Sequence, residues 1–265
     1  MMRGLLLALL WAVASGAAAQ IHVRSGLIVP AEVAPGAEDE AAIELFNAGT
    51  EAVQMRVYLQ DLAFDRGRPS YGAPGTAPRS NAGWLSMPAT VLTVLPGQTA
   101  LVPYTTRVPD EPGLVGSYWS VALIEEVLPE APSATDDGQR QVRIRRRSRL
   151  GVQLITHVGP GELGFEVRDE AVVTGAEGDV LTFTLANTGE MALGPEVLAE
   201  VYGPDGALAE TVAGGRPILY PGSSITVRLP LTAPRAGHTA LVIIDPGADD
   251  VFGKEIALDG LPSGG

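Results

Sequence analysis

The chain has 265 residues, with 18 Lys and Arg against 31 Asp and Glu, and carries a formal charge of −13. A surface that acidic repels nucleic acid and anionic lipid, which sets both aside as partners. The sequence holds no cysteine, so it offers no disulfide, no acylated lipoprotein cysteine and no thiol nucleophile.

Residues 1–19 read as a secretory signal peptide. Arg3 is the positive n-region, residues 5–13 are a short apolar run, and Ala17-Ala18-Ala19 is the small-residue cleavage pattern before Gln20. The run falls short of the roughly 20 apolar residues that a membrane span needs, and no later stretch is a transmembrane candidate. The expectation is a periplasmic or secreted protein, held together by its cores alone.

From residue 20 onward the chain alternates short β-prone runs with turn residues. Strands are predicted over residues 21–29, 41–46 and 53–62, the last alternating Val53, Met55, Val57 and Leu59 with Gln54, Arg56, Tyr58 and Gln60. Residues 65–83 are rich in Gly, Pro, Ser and Arg and are expected to form a long loop. Strands follow over 91–94, 99–106 and 117–127, then a second polar loop over 129–138. The next run is very long. Val142, Ile144, Arg146, Ser148, Leu150, Val152, Leu154, Thr156 and Val158 share one face, and Arg143, Arg145, Arg147, Arg149, Gly151, Gln153, Ile155 and His157 share the other. At about 3.3 Å per residue it is too long for one sandwich to bury, so part of it projects, lines an edge or passes between domains.

Gly159-Pro160-Gly161 marks a boundary. Strands are expected over 164–167, 180–185, 197–202, 207–212, 225–229, 239–245 and 254–258, with Gly203-Pro204-Asp205-Gly206 as a hairpin turn. One pattern occurs in both halves. A strand runs into Asn47-Ala48-Gly49 or Asn187-Thr188-Gly189, and later Leu95-Pro96-Gly97 or Tyr220-Pro221-Gly222 opens another strand. That rhythm predicts an all-β chain of two tandem immunoglobulin-like β-sandwich domains, 20–158 and 159–265. Such pairs usually bind partners rather than transform them.

The residues 21–158 resemble the N-terminal domain of periplasmic pilus-assembly chaperones, the PapD-like superfamily. The resemblance rests on the strand into Asn47-Ala48-Gly49, the Leu95-Pro96-Gly97-Gln98 turn, Gly116-Ser117-Tyr118-Trp119 leading to Glu125-Glu126, and the closing loop and long strand. A similar pattern occurs in secreted surface proteins whose partners carry WxL domains, so it speaks to fold more than to function. The resemblance implies a protein client, such as a fimbrial or surface subunit, bound by strand addition along the last strand. Val142 and Ile144 would be donor side chains there, with Arg146 as a departure and Leu150 further along the same face. It also implies a basic pair that holds the client's terminal carboxylate. Gly26 and Gly151 fall near those positions, and Arg24 and Arg149 lie two residues away on the same side of each strand.

The arginine run has three readings: a client or polyanion ribbon, a charged guard against edge pairing, or a counterweight to an acidic surface. No cofactor is expected and catalysis has little support, since no G-x-S-x-G elbow is present and His22, His157 and His238 are scattered. Asp245, Asp249, Asp250 and Asp259 match no EF-hand spacing, so no metal is expected. Trp84 and Trp119 are expected as core anchors. The alternative to a chaperone-like binder is a structural or adhesive envelope protein with a permanent partner.

Overall fold

The computed structural model describes residues 21–65, 67–88, 91–127, 149–176 and 178–261. The signal-peptide reading and the Val142, Ile144 and Arg146 positions lie outside the described residues. The first half forms β1 (Ile21–Val23), β2 (Ile28–Glu32), β3 (Glu38–Asn47), β4 (Val53–Asp65), β5 (Arg68–Gly72), a 3-10 turn at Ala82–Trp84, β6 (Leu85–Ser86), β7 (Val91–Val94), β8 (Thr99–Arg107), β9 (Gly116–Glu126) and β10 (Arg149–Val158). The second half forms β11 (Phe165–Gly175), β12 (Gly178–Asn187), β13 (Glu196–Tyr202), β14 (Leu208–Gly215), β15 (Ser224–Leu231), β16 (Thr239–Asp245) and β17 (Phe252–Ala257).

In the first sandwich one sheet runs β1-β3-β8-β6 and the other β2-β10-β9-β4-β5, with β7 added to β4. In the second, β11-β12-β15 faces β14-β13-β16-β17. The apolar alternation read in the sequence is the inward face of these strands. Ile43, Leu45, Val102, Ile124 and Val152 are wholly buried between the first pair of sheets, and Leu181, Leu185, Leu229 and Val242 between the second. The fold is therefore all-β, two immunoglobulin-like sandwiches in tandem.

Three expected elements differ from what forms. The single strand over 21–29 is two: β1 pairs antiparallel with β3, whereas β2 pairs parallel with β10 in the other sheet. The crossing runs through Gly26, whose φ of 90° is one that side-chain-bearing residues rarely adopt. The loop expected over 65–83 contains β5, a polar strand whose backbone pairs with the end of β4. It has no apolar alternation because its side chains are mostly exposed. The short strand expected at 164–167 extends to Gly175 through a bulge between Arg168 and Ala171, with Asp169 at a φ of 57°. Charges at 168–170 hide this edge strand from a hydrophobicity reading.

Asp61, only 3% exposed, organises the segment after β5. Its carboxylate accepts the N–H groups of Gly75 (3.0 Å), Thr76 (2.6 Å) and Ala77 (2.6 Å) and the Ser80 hydroxyl. Burial alone would raise its pKa, but these donors together hold it below the ordinary 3.8. A buried charge with four donors pins a loop that has little apolar content of its own.

The doubled sequence pattern is a doubled clamp. Asn47 is fully buried; its amide donates to the carbonyls of Glu51 (2.7 Å) and Val94 (3.0 Å), and its Oδ1 accepts the Gly49 N–H (2.9 Å). Asn187 does the same with Met191 (2.8 Å), Leu219 (3.1 Å) and Gly189 (2.9 Å). The backbones repeat too: Gly97 N–H meets Asn47 O and Gly222 N–H meets Asn187 O, at 2.8 and 3.0 Å. Each asparagine thus ties the end of one strand to the Pro-Gly turn that opens another. Glu51 and Met191, Val94 and Leu219, and Leu95 and Tyr220 are structural counterparts.

Candidate functional site

Of the expected site residues, Arg149 and Leu150 lie on β10, and two partner strands define its surroundings. It pairs with β9 along its whole length, from Arg149 opposite Glu125 to Val158 opposite Gly116. On its other edge β2 begins only at Gln153, opposite Ile28, where the Gln153 N–H donates to Leu27 O at 2.8 Å. Among the described residues no strand pairs with that edge over positions 149–152. Backbone groups alternate sides along a ladder, so those of Arg149 and Gly151 face the same way as that of Gln153. Leu27 and Ile28, at 52% and 37% exposed, border the opening.

The side chains of β10 divide between two environments. Leu150, Val152 and Leu154 point into the first sandwich, Leu150 packing against its core from a half-buried position. Arg149 lies on the opposite face and makes a 3.1 Å ion pair with Glu125, which raises its pKa above the ordinary arginine value. Arg24 belongs to the other sheet. Its guanidinium stacks 3.7 Å over the Phe46 ring and donates to Thr99 Oγ1 at 3.2 Å, while its N–H donates to Glu44 O. The chain switches sheets after β1, so the two arginines are engaged by different sheets. Gly151 leaves a bare position on the outer face; a Cβ there would stand 3.1 Å from Val121 Cγ2.

Further along, the outer face of β10 meets the second sandwich. Tyr220, 1% exposed, stacks on Phe64 with ring centroids 5.1 Å apart and lies 4.7 Å from Trp119. Its hydroxyl donates to Gln153 Oε1, and burial raises its pKa above the ordinary 10.0. Ile155, Ala192 and Ile218 complete the apolar contact. Trp119 is therefore an anchor of the junction rather than of a sandwich core, with its indole N–H donating to Leu62 O at 2.6 Å. Trp84 packs on Tyr118 in a smaller cluster, centroids 4.5 Å apart.

A polar seam runs beside the aromatic one. Ser117 N–H donates to Glu190 O at 2.8 Å, and Ser117 Oγ accepts the Ala192 N–H at 2.7 Å. That hydroxyl also lies 2.8 Å from His157 Nδ1. The Ser117 hydroxyl thus bridges the Ala192 N–H and the His157 ring. Gly116 lets the two halves approach, since a Cβ on it would stand 2.5 Å from Glu190 O. His157 lines a cavity of about 530 Å³ with Glu32, Val33, Pro35, Pro160 and Met191. The role of His157 and of Tyr220 is not visible in sequence, because both are set by contacts between halves. The one available signal is that Tyr220 is aromatic where its counterpart is Leu95.

Burial lowers the His157 pKa from the ordinary 6.5, and Glu32 partly opposes the shift. Protonation is thus less favourable in the folded protein than in the unfolded chain. His157 contributes stability above pH 6.5, and this is lost as pH falls through its lower folded value. Replacing His157 by Gln is expected to flatten the thermal-midpoint profile over that window while the wild type declines. Superimposable profiles would show that His157 does not carry the effect.

Among the described residues no cluster of three His, Cys, Asp or Glu side chains is placed to hold a metal ion. Asp245 instead accepts the Gly247 N–H at 2.7 Å within its turn.

No protein-family model matches the sequence, nor does any curated protein. Solved structures similar to the chain include one from a chaperone–tip adhesin complex of CFA/I fimbriae biogenesis, 10% identical, covering 89% of this chain and 97% of that one, with a TM-score of 0.49. The class 5 fimbriae chaperone CfaA is 9% identical over 89% and 98% of the two chains, with a TM-score of 0.48. The Escherichia coli chaperone DraB is 11% identical over 90% and 98%, with a TM-score of 0.44.

Proposed function

We propose that this is an exported, chaperone-like binding protein that takes a segment of a β-rich pilus or surface subunit as an added strand. The observation that carries this reading is the edge of β10 over residues 149–152, which no strand covers among the described residues. An extended partner there would hydrogen-bond to the backbone of Arg149 and Gly151 and rest beside Leu27 and Ile28. Val142 and Ile144 precede β10 in sequence. Co-purification from a periplasmic extract tests the reading. The double variant Val142→Asp with Ile144→Asp is expected to lose the bound subunit, and an unchanged bound set would refute strand addition.

One observation favours the second reading, a structural or adhesive envelope protein with a permanent partner. Arg149 is paired with Glu125 and Arg24 is stacked on Phe46, in different sheets. A shared carboxylate anchor would have to draw both arginines away from these partners. A partner that stays bound in the mature envelope supports this reading; one released on assembly supports the first.

A further inference from the structure

The contact between the two sandwiches has a direction. The second sandwich contributes its asparagine-clamped end: Glu190, Met191 and Ala192 from the Asn187 loop, and Tyr220 from the Pro-Gly turn. The first contributes the outer face of its β4-β9-β10 sheet near the start of β9: Phe64, Ser117, Trp119 and Ile155. The clamped tip recurs in the first sandwich, and the β4-β9-β10 face has its counterpart in β13-β16-β17 of the second. One half on each is used, and the other half on each is open.

The open end on the first sandwich is its own clamped tip. Leu95, the counterpart of the 1%-exposed Tyr220, is 49% exposed, and Val91 on the strand leading to it is 50% exposed. Thr50, Glu51 and Ala52, the counterparts of Glu190, Met191 and Ala192, are all exposed. The open face on the second sandwich is the outer side of β13-β16-β17. Inward residues of these strands, such as Val201, Val242 and Ile256, form the core, so Tyr202, Leu241 and Glu255 lie outside by period two. They line a cavity of about 450 Å³ with Pro204, Gly237 and Thr239. This cavity lies beside the start of β16, as the Tyr220 site lies beside the start of β9, and a left-handed glycine precedes or opens each strand: Gly237 (φ 66°) and Gly116 (φ 85°).

We propose that copies of this chain associate head to tail, with the Leu95 turn of one copy seated in the Tyr202–Leu241 cavity of the next. The occupant is a second copy because the chain already joins its own two sandwiches by this end-on-face contact, and among the described residues the counterpart tip and the counterpart face are exposed. The contact is heterologous, so it builds rings or linear arrays rather than a two-fold dimer. Each copy carries a charge of −13, and Glu51 and Glu255 lie on the two apposed surfaces. Association is therefore weak at low ionic strength and strengthens as salt screens the repulsion. The joint uses neither the β10 edge nor its arginines, so it stands or falls separately from strand addition.

The test is sedimentation velocity on the purified protein over a concentration series at low and moderate salt. The weight-average mass of the wild type is expected to rise with both concentration and salt. Leu95→Glu alters the tip at an exposed position, and Leu241→Lys alters the face. Since Leu241 is half-buried, Glu255→Trp, which fills the cavity from an exposed position, serves as a second face variant. Each variant alone is expected to remain monomeric. An equimolar mixture of a tip variant and a face variant retains one intact tip and one intact face, so it is expected to form dimers and stop there. A wild type that stays monomeric throughout, a folded variant that still assembles, or a mixture that forms no dimer would overturn the proposal.

Discussion

Tyr220→Ala is expected to cost about 3–5 kcal/mol of stability, the range for removing a large buried aromatic, and to split one thermal transition into two. Tyr220 touches Phe64, Trp119 and Gln153 together. Its loss removes the apolar filling of the junction and leaves the Gln153 amide oxygen without its donor. The polar seam at Ser117 remains, but two hydrogen bonds to backbone groups do not replace an aromatic cluster. Each sandwich has its own core, so uncoupling leaves two folded units that melt separately. Tyr220→Phe keeps the ring and is expected to cost about 1 kcal/mol, the ordinary worth of one hydrogen bond, with a single transition. Differential scanning calorimetry of both variants decides the matter. A single, barely shifted transition for Tyr220→Ala would mean that the aromatic cluster does not couple the sandwiches.

Asn187→Ala and Asn47→Ala are each expected to lose about 2–4 kcal/mol, because each removes three hydrogen bonds between a buried side-chain amide and backbone groups. The two differ in reach. The Asn47 clamp holds an exposed turn, so its loss is confined to the first sandwich. The Asn187 clamp holds Met191 O at 2.8 Å, next to the Glu190 and Ala192 groups that bond Ser117. Its loss is therefore expected to loosen the junction as well. Aspartate at either position is expected to be worse than alanine, since a carboxylate would face two carbonyl oxygens in a buried site. Urea unfolding measures the cost, and the near-ultraviolet signal of Trp119 reports the junction. Equal costs with an unchanged Trp119 signal in both would show that the Asn187 loop does not support the contact.

The doubled Asn-x-Gly and Pro-Gly pattern was legible as turns between strands, but not the clamping of Asn47 to Val94 and of Asn187 to Leu219 across the sandwich. Asn, Gly and a later Pro-Gly are required by backbone geometry wherever this turn pair occurs, so the residues recur with the structure. The inward faces of β3, β4 and β10 were legible, since burial imposes period two. Elements without that imprint were not. β5 and the later part of β11 lie at sheet edges with exposed or charged side chains, and only their backbones commit them to a sheet. The break between β1 and β2 depends on which sheet offers an edge, a matter of tertiary arrangement rather than of propensity.

The site shows the same division. Arg24 and Arg149 stand at matching offsets in sequence, but the crossing at Gly26 sends one to each sheet. Tyr220 and His157 acquire their roles only when the second sandwich is laid against the first. The outer face of β10 alternates Gly151, Gln153, Ile155 and His157 in the manner of a surface strand, and nothing local distinguishes a surface that meets water from one that meets another domain.

The parallel pairing of β2 with β10 has a mechanical consequence. The chain enters β2 from its N-terminal side and leaves β10 toward the second sandwich, while the two strands run side by side from Ile28 opposite Gln153 to Glu32 opposite His157. A pulling force transmitted along the chain therefore draws the two strands past each other lengthwise. In that geometry the rungs between them carry the load together, whereas a hairpin pulled from its open end gives way one rung at a time. Stretched from its ends, the first sandwich is expected to yield abruptly at this seam, at a higher force than the second, where β11 and β17 lie at the edges of separate sheets with no such parallel tie.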